Sequence, residues 1–412
     1  MIKLPPHIKE CIKTLEKNGF SAYAVGGAVR DSLLCREVND WDVCTSALPD
    51  DVSEIFSSLH VIPTGIKHGT VTVVFDTESG EREPVEITTF RIDGEYTDHR
   101  RPNEVMFADR LSDDLSRRDF TVNAMAYNER EGLIDLFSGK EDIKNKTVRC
   151  VGDPRVRFEE DALRILRAFR FSAQLGFFVE KETLIAAKER AHLLQKIARE
   201  RIGVEFCKLI SSSGAVYALE KMIEYGVFSA LFPNIPLPER ERLSVIGGLS
   251  NGNAPLRLAA LISECSEEQK HEFLNSLRLS NDQKKRTLRL ASAAKFLPDE
   301  SKNVGVNARV FLSLYENISS DAMEIFSALT PVNTSVANNL LCAVKFEKAQ
   351  KPCLALSDLA VNGSDIRALC GNDPSRVGKI LNCLLSQVIE DPAKNNRDFL
   401  LNAAQKLKDC GF

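Results

Sequence analysis

The chain has no apolar run approaching the length of a membrane span, and its start, MIKLPPHIKE, lacks the apolar core and cleavage site of a signal peptide. These absences lead to the expectation of a cytosolic protein. None of its eleven cysteines forms a C-x-x-C, and none stands at zinc-finger spacing with a histidine. Cys11, Cys35, Cys44, Cys150, Cys207, Cys265, Cys342, Cys353, Cys370, Cys383 and Cys410 therefore read as isolated thiols, mostly small buried hydrophobes in a reducing compartment. The six histidines show no H-D dyad and no H-x-x-x-H spacing, which argues against a fused metal-dependent phosphohydrolase. There is no G-x-x-x-x-G-K-[ST] loop, no internal repeat and no low-complexity tract. A net charge of −4 argues against indiscriminate nucleic-acid binding but leaves room for a local basic patch.

What is present is the composition of a soluble globular protein, 43% apolar and 27% charged, in a chain of 412 residues that needs more than one core. Ile8, Cys11, Ile12 and Leu15 share one helical face, and Gly19 ends that helix. SAYAVGGAVRDSLL then reads as strand, diglycine turn and helix. TVTVVF (70–75) and VEITTF (85–90) read as the two strands of a hairpin, and TDHRRPNE (97–104) as a loop. From about residue 159 strand signals mostly disappear, with breaks near LFPNIPLPE (231–239), SNGNAP (250–255), FLPDESKNVG (296–305) and CGNDPS (370–375). The expected architecture is α+β: a head of roughly 150 residues, then a long all-helical remainder.

Within VNDWDVCTSA, alternation along an extended chain places Asp40 and Asp42 on one face and the only tryptophan, Trp41, on the other. Such a pair is either two unrelated solvent-facing acids or a cation site, because a divalent ion reverses the mutual repulsion. In two-metal phosphoryl transfer, carboxylates of this kind hold Mg²⁺, which activates a hydroxyl and neutralises the departing phosphate. Glu86, on the hairpin strand VEITTF, is a candidate third acid. Gly26 and Gly27, between strand and helix, serve either packing or close approach to an anion, with Arg30 one turn further on. RRDFTVNA (117–124) offers Arg117 and Arg118 for phosphate or ribose, and Asp119 as a helix cap or hydroxyl acceptor.

EEDALRILRAFRF places Asp161, Arg164, Arg167 and Arg170 at three-residue spacing among Leu163, Ile165, Leu166, Phe169 and Phe171, so a heavily packed helix is expected, with Asp161 beside Arg164 on its surface. Cytosine and adenine share an amine donor next to a ring-nitrogen acceptor, whereas uracil and guanine present the reverse. A carboxylate beside a guanidinium, such as Asp161 and Arg164, suits the first pair and rejects the second. Further on, Lys284, Lys285, Arg286, Arg289 and Lys295 form either an RNA-gripping face or a solvated helix surface.

Taken together, VGGAVRD, DWD, HGTVTV, EITTFRIDGEYTDHRRPNEV, RRDFTVNAMA, LIDLFSG, EEDALRILRAFRF and RERIGVEF resemble, in order and spacing, the bacterial class II tRNA nucleotidyltransferases, the CCA-adding enzymes of the polymerase-β-like nucleotidyltransferase superfamily. The resemblance is continuous over about the first half of the chain. It implies a seahorse-shaped molecule with a catalytic polymerase-β-like head (1–150) built on a small mixed sheet, a neck of base-template helices (151–212), a helical body (213–300) and a helical tail (301–412) that holds the tRNA elbow. It implies that Asp40 and Asp42 coordinate catalytic Mg²⁺ with Glu86 as third acid. Gly27 and Arg30, beside Gly26, would meet the triphosphate, Arg118 the incoming nucleotide, Asp119 its ribose, and Arg167 and Arg170 phosphates. Asp161 and Arg164 would be the template for CTP and then ATP.

The loop 93–104 would help the site change from CTP to ATP, and LIDLFSG would lie at the head–neck hinge. Position 41 is usually aliphatic or phenylalanine in the family, and Trp41 should point off the metal face. Within the family, CC-only enzymes generally lack the intact flexible loop, which DGEYTDHRRP supplies. Bacterial poly(A) polymerases carry an RRF-type segment where this chain has VIPTGIKHGTVTV. An A-only enzyme shares these motifs. A non-catalytic RNA- or nucleotide-binding protein of this fold would lack the carboxylates, which are all present.

Overall fold

Pro6 presets the first turn of helix α1 (Pro6–Lys17), whose buried residues are Ile8, Cys11, Ile12 and Leu15, the expected face; Gly19, at φ +90°, turns the chain out of it. The computed structural model describes residues 2–38, 40–76, 80, 82–93, 105–329, 334–370 and 373–409. The chain forms two compact units, Met1–Glu239 with His271–Leu279, and Arg240–Lys270 with Ser280–Phe412.

In the first unit, α1 leads into β1 (Ala22–Val25), α2 (Gly27–Leu33), β2 (Asp42–Thr45) and α3 (Pro49–Ile55). Then come β3 (His60–Gly65), β4 (Thr70–Asp76), β5 (Arg82–Thr89), β6 (Arg91–Asp93) and β7 (Val105–Phe107). Helix α4 (Leu111–Ser116) precedes β8 (Met125–Asn128) and β9 (Gly132–Asp135). Seven strands make one mixed sheet in the order β3-β4-β5-β2-β1-β8-β9. The expected hairpin is β4 and β5, antiparallel with Thr72 opposite Glu86; most of its connecting turn lies outside the described residues. So does the loop 93–104 beyond Asp93, which follows β6. LID of LIDLFSG is the edge strand β9.

Both faces of the sheet are covered. Ala22, Ala24, Val43, Val71, Val73, Val85 and Ile87 pack with α1, α3 and Trp41. The alternate residues Tyr23, Val25 and Cys44 pack with Phe90 and Leu115 of α4 on the other side. Trp41 therefore belongs to the core, as expected. Of the nine cysteines whose side chains are described, all unpaired, Cys11, Cys44, Cys150 and Cys265 are buried, while Cys35 and Cys342 are exposed and the others partly so; burial is less general than expected.

The sheet is followed by α5 (Gly139–Lys144), α6 (Pro154–Glu160), α7 (Leu163–Leu175), α8 (Lys181–Arg190) and α9 (Arg199–Ile210). Here the sequence expectation needs correction: EEDALRILRAFRF is not one helix. The chain breaks at Asp161, which takes an extended conformation (φ −137°, ψ 103°), and its carboxylate accepts from the Leu163 N–H at 3.0 Å, a local bond that competes with continuing the helix. Helix α7 is as heavily packed as its composition suggested, with eleven of thirteen residues buried.

The second unit is helical throughout its described residues. Ser280 and Gln283 form a capping box at the start of helix Asn281–Ala293. In the final helices, Val377, Ile380, Leu384 and Val388 recur at helical spacing and pack with Ile366, Leu400 and Ala404. No helix among the described residues is long and apolar enough to cross a membrane.

Candidate active site

Strand register sets the first part of the site. Asp42 opens β2, paired with Val25 on β1 and with Glu86 on the parallel strand β5. Residues 42 and 44 share a face, so the Asp42 side chain emerges where Cys44 is buried further in, and Glu86 emerges beside it. Asp40 precedes the strand and is exposed. Although Asp42 opens onto solvent, its carboxyl is ringed by protein. That partial burial, then the charge of Glu86, push its pKa to about 6, with Asp40 adding to the rise and Arg118 opposing it. Glu86 and Asp40 thus raise the cost of ionising Asp42, a cost that a bound divalent cation would offset. Among the described residues no group of three or more His, Cys, Asp or Glu side chains stands where it could hold a metal ion. Mg²⁺ does not require one: it commonly takes one or two carboxylates and fills its remaining positions with water and substrate phosphate.

Gly26 has φ +73° and ψ −133°, a conformation L side chains rarely adopt, and a Cβ there would stand 3.1 Å from Arg118 Nη1. This bend starts α2, which places Arg30 inward. Its guanidinium donates to Asn123 and, through Nε at 3.0 Å, to Asp31, and it faces the Phe171 ring at 5.1 Å. From the opposite wall, Arg117 and Arg118 follow α4, whose buried Asp114 accepts from both. Asp119 accepts from Asn123 and from Arg167 at 2.6 Å. Burial alone would raise its pKa, but Arg167 and the Asn123 hydrogen bond hold it down to about 2.

A consequence follows for acid stability. A carboxyl depressed from 3.8 to about 2 stabilises the fold above the unfolded value and loses that contribution as pH falls through about 2. Asp119→Asn is expected to cost about 2 kcal/mol at neutral pH and to flatten stability between about pH 4 and 2. Urea unfolding across that range measures both.

The base-reading candidates lie on the helical side. Asp161 accepts from Arg201 at 2.9 Å. Arg164 is clamped by Glu160 at 2.6 Å and donates to the Arg117 carbonyl at 3.0 Å. Each is held by another residue, and both line the same cleft, one as a carboxylate acceptor and the other as a guanidinium donor. That cleft, of about 390 Å³, brings together Gly26, Gly27, Arg30, Asp42, Arg118, Asp119, Asp161, Arg164 and Arg167. Arg170 is a correction: it does not line the cleft but lies buried behind Phe171, 3.5 Å from the ring centroid and bound to Glu205 at 2.7 Å.

Sequence reasoning missed Asn123, Phe171 and Arg201, which line the cleft within RRDFTVNA, EEDALRILRAFRF and RERIGVEF. Their signal was present only as motif membership. In the second unit, Arg286 is paired with Asp321, Arg289 donates to the Leu314 carbonyl, and Lys295 stands 3.7 Å from Glu264, while Lys285 is exposed. The basic face is therefore partly committed to the fold.

A sheet carrying carboxylates, a glycine turn and an arginine-lined cleft defines a nucleotidyltransferase head. Residues 22–149 match the family described as Poly A polymerase head domain, 176–237 that described as Probable RNA and SrmB- binding site of polymerase A, and 255–404 that described as tRNA nucleotidyltransferase domain 2 putative. The CCA-adding enzyme of Leuconostoc citreum is 37% identical over 97% of this chain and 95% of its own. That of Lactococcus lactis subsp. lactis is 35% identical over 98% and 99%. The Bacillus stearothermophilus CCA-adding enzyme, solved in complex with CTP, superposes with a TM-score of 0.80 at 30% identity, covering 99% of each chain. The Thermotoga maritima enzyme, complexed with tRNA, shares the fold at a TM-score of 0.68 and 20% identity over 98% and 96%. The chain belongs to the CCA-adding enzymes, a family of tRNA nucleotidyltransferases whose chemistry is generally metal-dependent.

Proposed function

We propose that the cleft completes tRNA 3′ ends: the terminal hydroxyl attacks the α-phosphate of CTP twice and of ATP once, releasing pyrophosphate each time. The observation that carries this reading is the convergence in one cleft of Asp42, the Gly26–Gly27 bend, and the Asp161 and Arg164 side chains. Asp40 and Asp42 would hold Mg²⁺, with Glu86 as a third acid, and the bound ion would activate the hydroxyl and offset charge on the leaving group.

The remaining work falls to the chain itself. Gly26 and Gly27 let the backbone approach a triphosphate, while Arg30, Arg118 and Arg167 supply charge-assisted contacts to it. Asp119 fixes Arg167 and faces the ribose. Asp161 accepts from the exocyclic amine of cytosine or adenine, and Arg164 donates to the neighbouring ring nitrogen. Uracil and guanine would leave both groups facing like partners in a desolvated site, which rejects them. Arg170, tied to Glu205, supports Phe171 from behind. The division into head, neck, body and tail at residues 150, 212 and 300 is the functional one we adopt. Lys284, Lys285, Arg286 and Arg289 are assigned to tRNA backbone contact, and the protein to the cytoplasm.

The test supplies purified protein with tRNA lacking its last three nucleotides. CTP alone should add two residues, CTP with ATP should add CCA, and ATP alone should add nothing. Runs of A, arrest at CC with both nucleotides present, or no addition until a CC-ended tRNA is supplied with ATP would identify one of the other members of the family.

A further inference from the structure

Asp114 has no solvent-exposed surface and none of the roles assigned above. Its Oδ1 accepts from Nε and Nη2 of Arg117 at 3.0 and 2.7 Å, and its Oδ2 from Nη2 of Arg118 at 3.0 Å. Arg118 has a second acid in view. Its Nη1 lies against Gly26, where a Cβ would be 3.1 Å away, and the preceding residue, Val25, is the register partner of Asp42. Asp42 and Arg118 line the same cleft, and each acts on the other's charge. Arg118 thus stands between a buried carboxylate behind it and an accessible one in front, and its Nε is buried without a partner, so the guanidinium is not locked from every side. A guanidinium released by Asp114 has Asp42 as its alternative anion, and an ion pair there would neutralise the charge that attracts a cation.

We propose that Asp114 is a positioning residue that holds the Arg118 guanidinium back from Asp42 and so leaves that carboxylate open to a divalent cation. This rests on the metal reading of Asp42 given above. It makes the distribution of two acids around one arginine, and not the acid pair alone, the determinant of cation affinity.

The experiment measures Mn²⁺ binding to the full-length, nucleotide-free protein by the loss of the free-ion paramagnetic resonance signal. Asp114→Asn should weaken binding roughly tenfold, the effect of one opposite charge placed against a carboxylate. Adding Arg118→Gln to that variant should restore binding, since no guanidinium remains to compete; a merely structural role for Asp114 would make the double variant worse. Unchanged affinity in folded Asp114→Asn, or a double variant no better than the single one, overturns the proposal.

Removing the anion from two arginines can prevent folding. In that event Arg118→Gln is compared with Arg118→Gln/Asp114→Asn, in which only Arg117 loses its partner. Equal affinities support the proposal, and a further loss overturns it. Asp42→Asn is the control. If it leaves Mn²⁺ binding intact, the metal reading itself fails. Dependence on Asp42 without dependence on Asp114 sinks only the positioning role.

Discussion

Asp42→Asn should reduce nucleotide incorporation by roughly a thousandfold or more while leaving the protein folded. The loss is large because a carboxylate ligand contributes several kcal/mol of charge stabilisation where the pyrophosphate leaves, and an amide oxygen carries no net charge to replace it. The fold should tolerate the change because the charge is a liability there. Burial, Glu86 and Asp40 all push the Asp42 pKa upward, to about 6. A folded-state value above the unfolded one means that ionisation destabilises the native state. In cation-free buffer, wild-type stability should therefore rise as pH is lowered from about 7 through 6, and the asparagine variant should lack that rise. Thermal melts at the two pH values, beside incorporation assays, test both halves. Near-normal incorporation would remove Asp42 from the catalytic machinery.

The second large effect concerns base choice. Asp161→Ala should raise incorporation of U and G relative to C and A by roughly tenfold to a hundredfold. The carboxylate contributes the only acceptor of the proposed reading pair, and without it the Arg164 donors impose half the pattern. The change also leaves the Leu163 N–H and an Arg201 guanidinium nitrogen without their carboxylate partner. Overall turnover should therefore fall with fidelity, and the ratio of kcat/KM values between nucleotides is the quantity to measure. Unchanged ratios in a folded variant would refute the template role.

Particular residues show how far the sequence carried these conclusions. Asp40, Trp41 and Asp42 alternate as the period of an extended chain requires, and the structure buries Trp41 while opening both acids to solvent. Glu86 was legible as a third acid only as an apparently misplaced glutamate; the parallel register with Asp42 gives the reason for its position. From Glu159 to Phe171 the apolar spacing continues across Asp161 and predicts one helix. Spacing does not report a backbone dihedral, nor the local hydrogen bond from the Leu163 N–H to the Asp161 carboxylate that accompanies the break.

By itself the sequence determined an α+β head followed by helices and the identity of most cleft residues. Periodicity and residue chemistry are local properties, and the motifs carry them in order. Only the tertiary structure decided the pairings. Arg164 is held by Glu160 and the Arg117 carbonyl, Asp161 by Arg201, Arg167 by Asp119, and Arg170 is withdrawn behind Phe171. Among so many arginines and acids, each charge has several possible partners at similar separation along the chain. Which ones meet depends on distance and burial in three dimensions, where a few ångströms separate a ligand-facing guanidinium from a structural one.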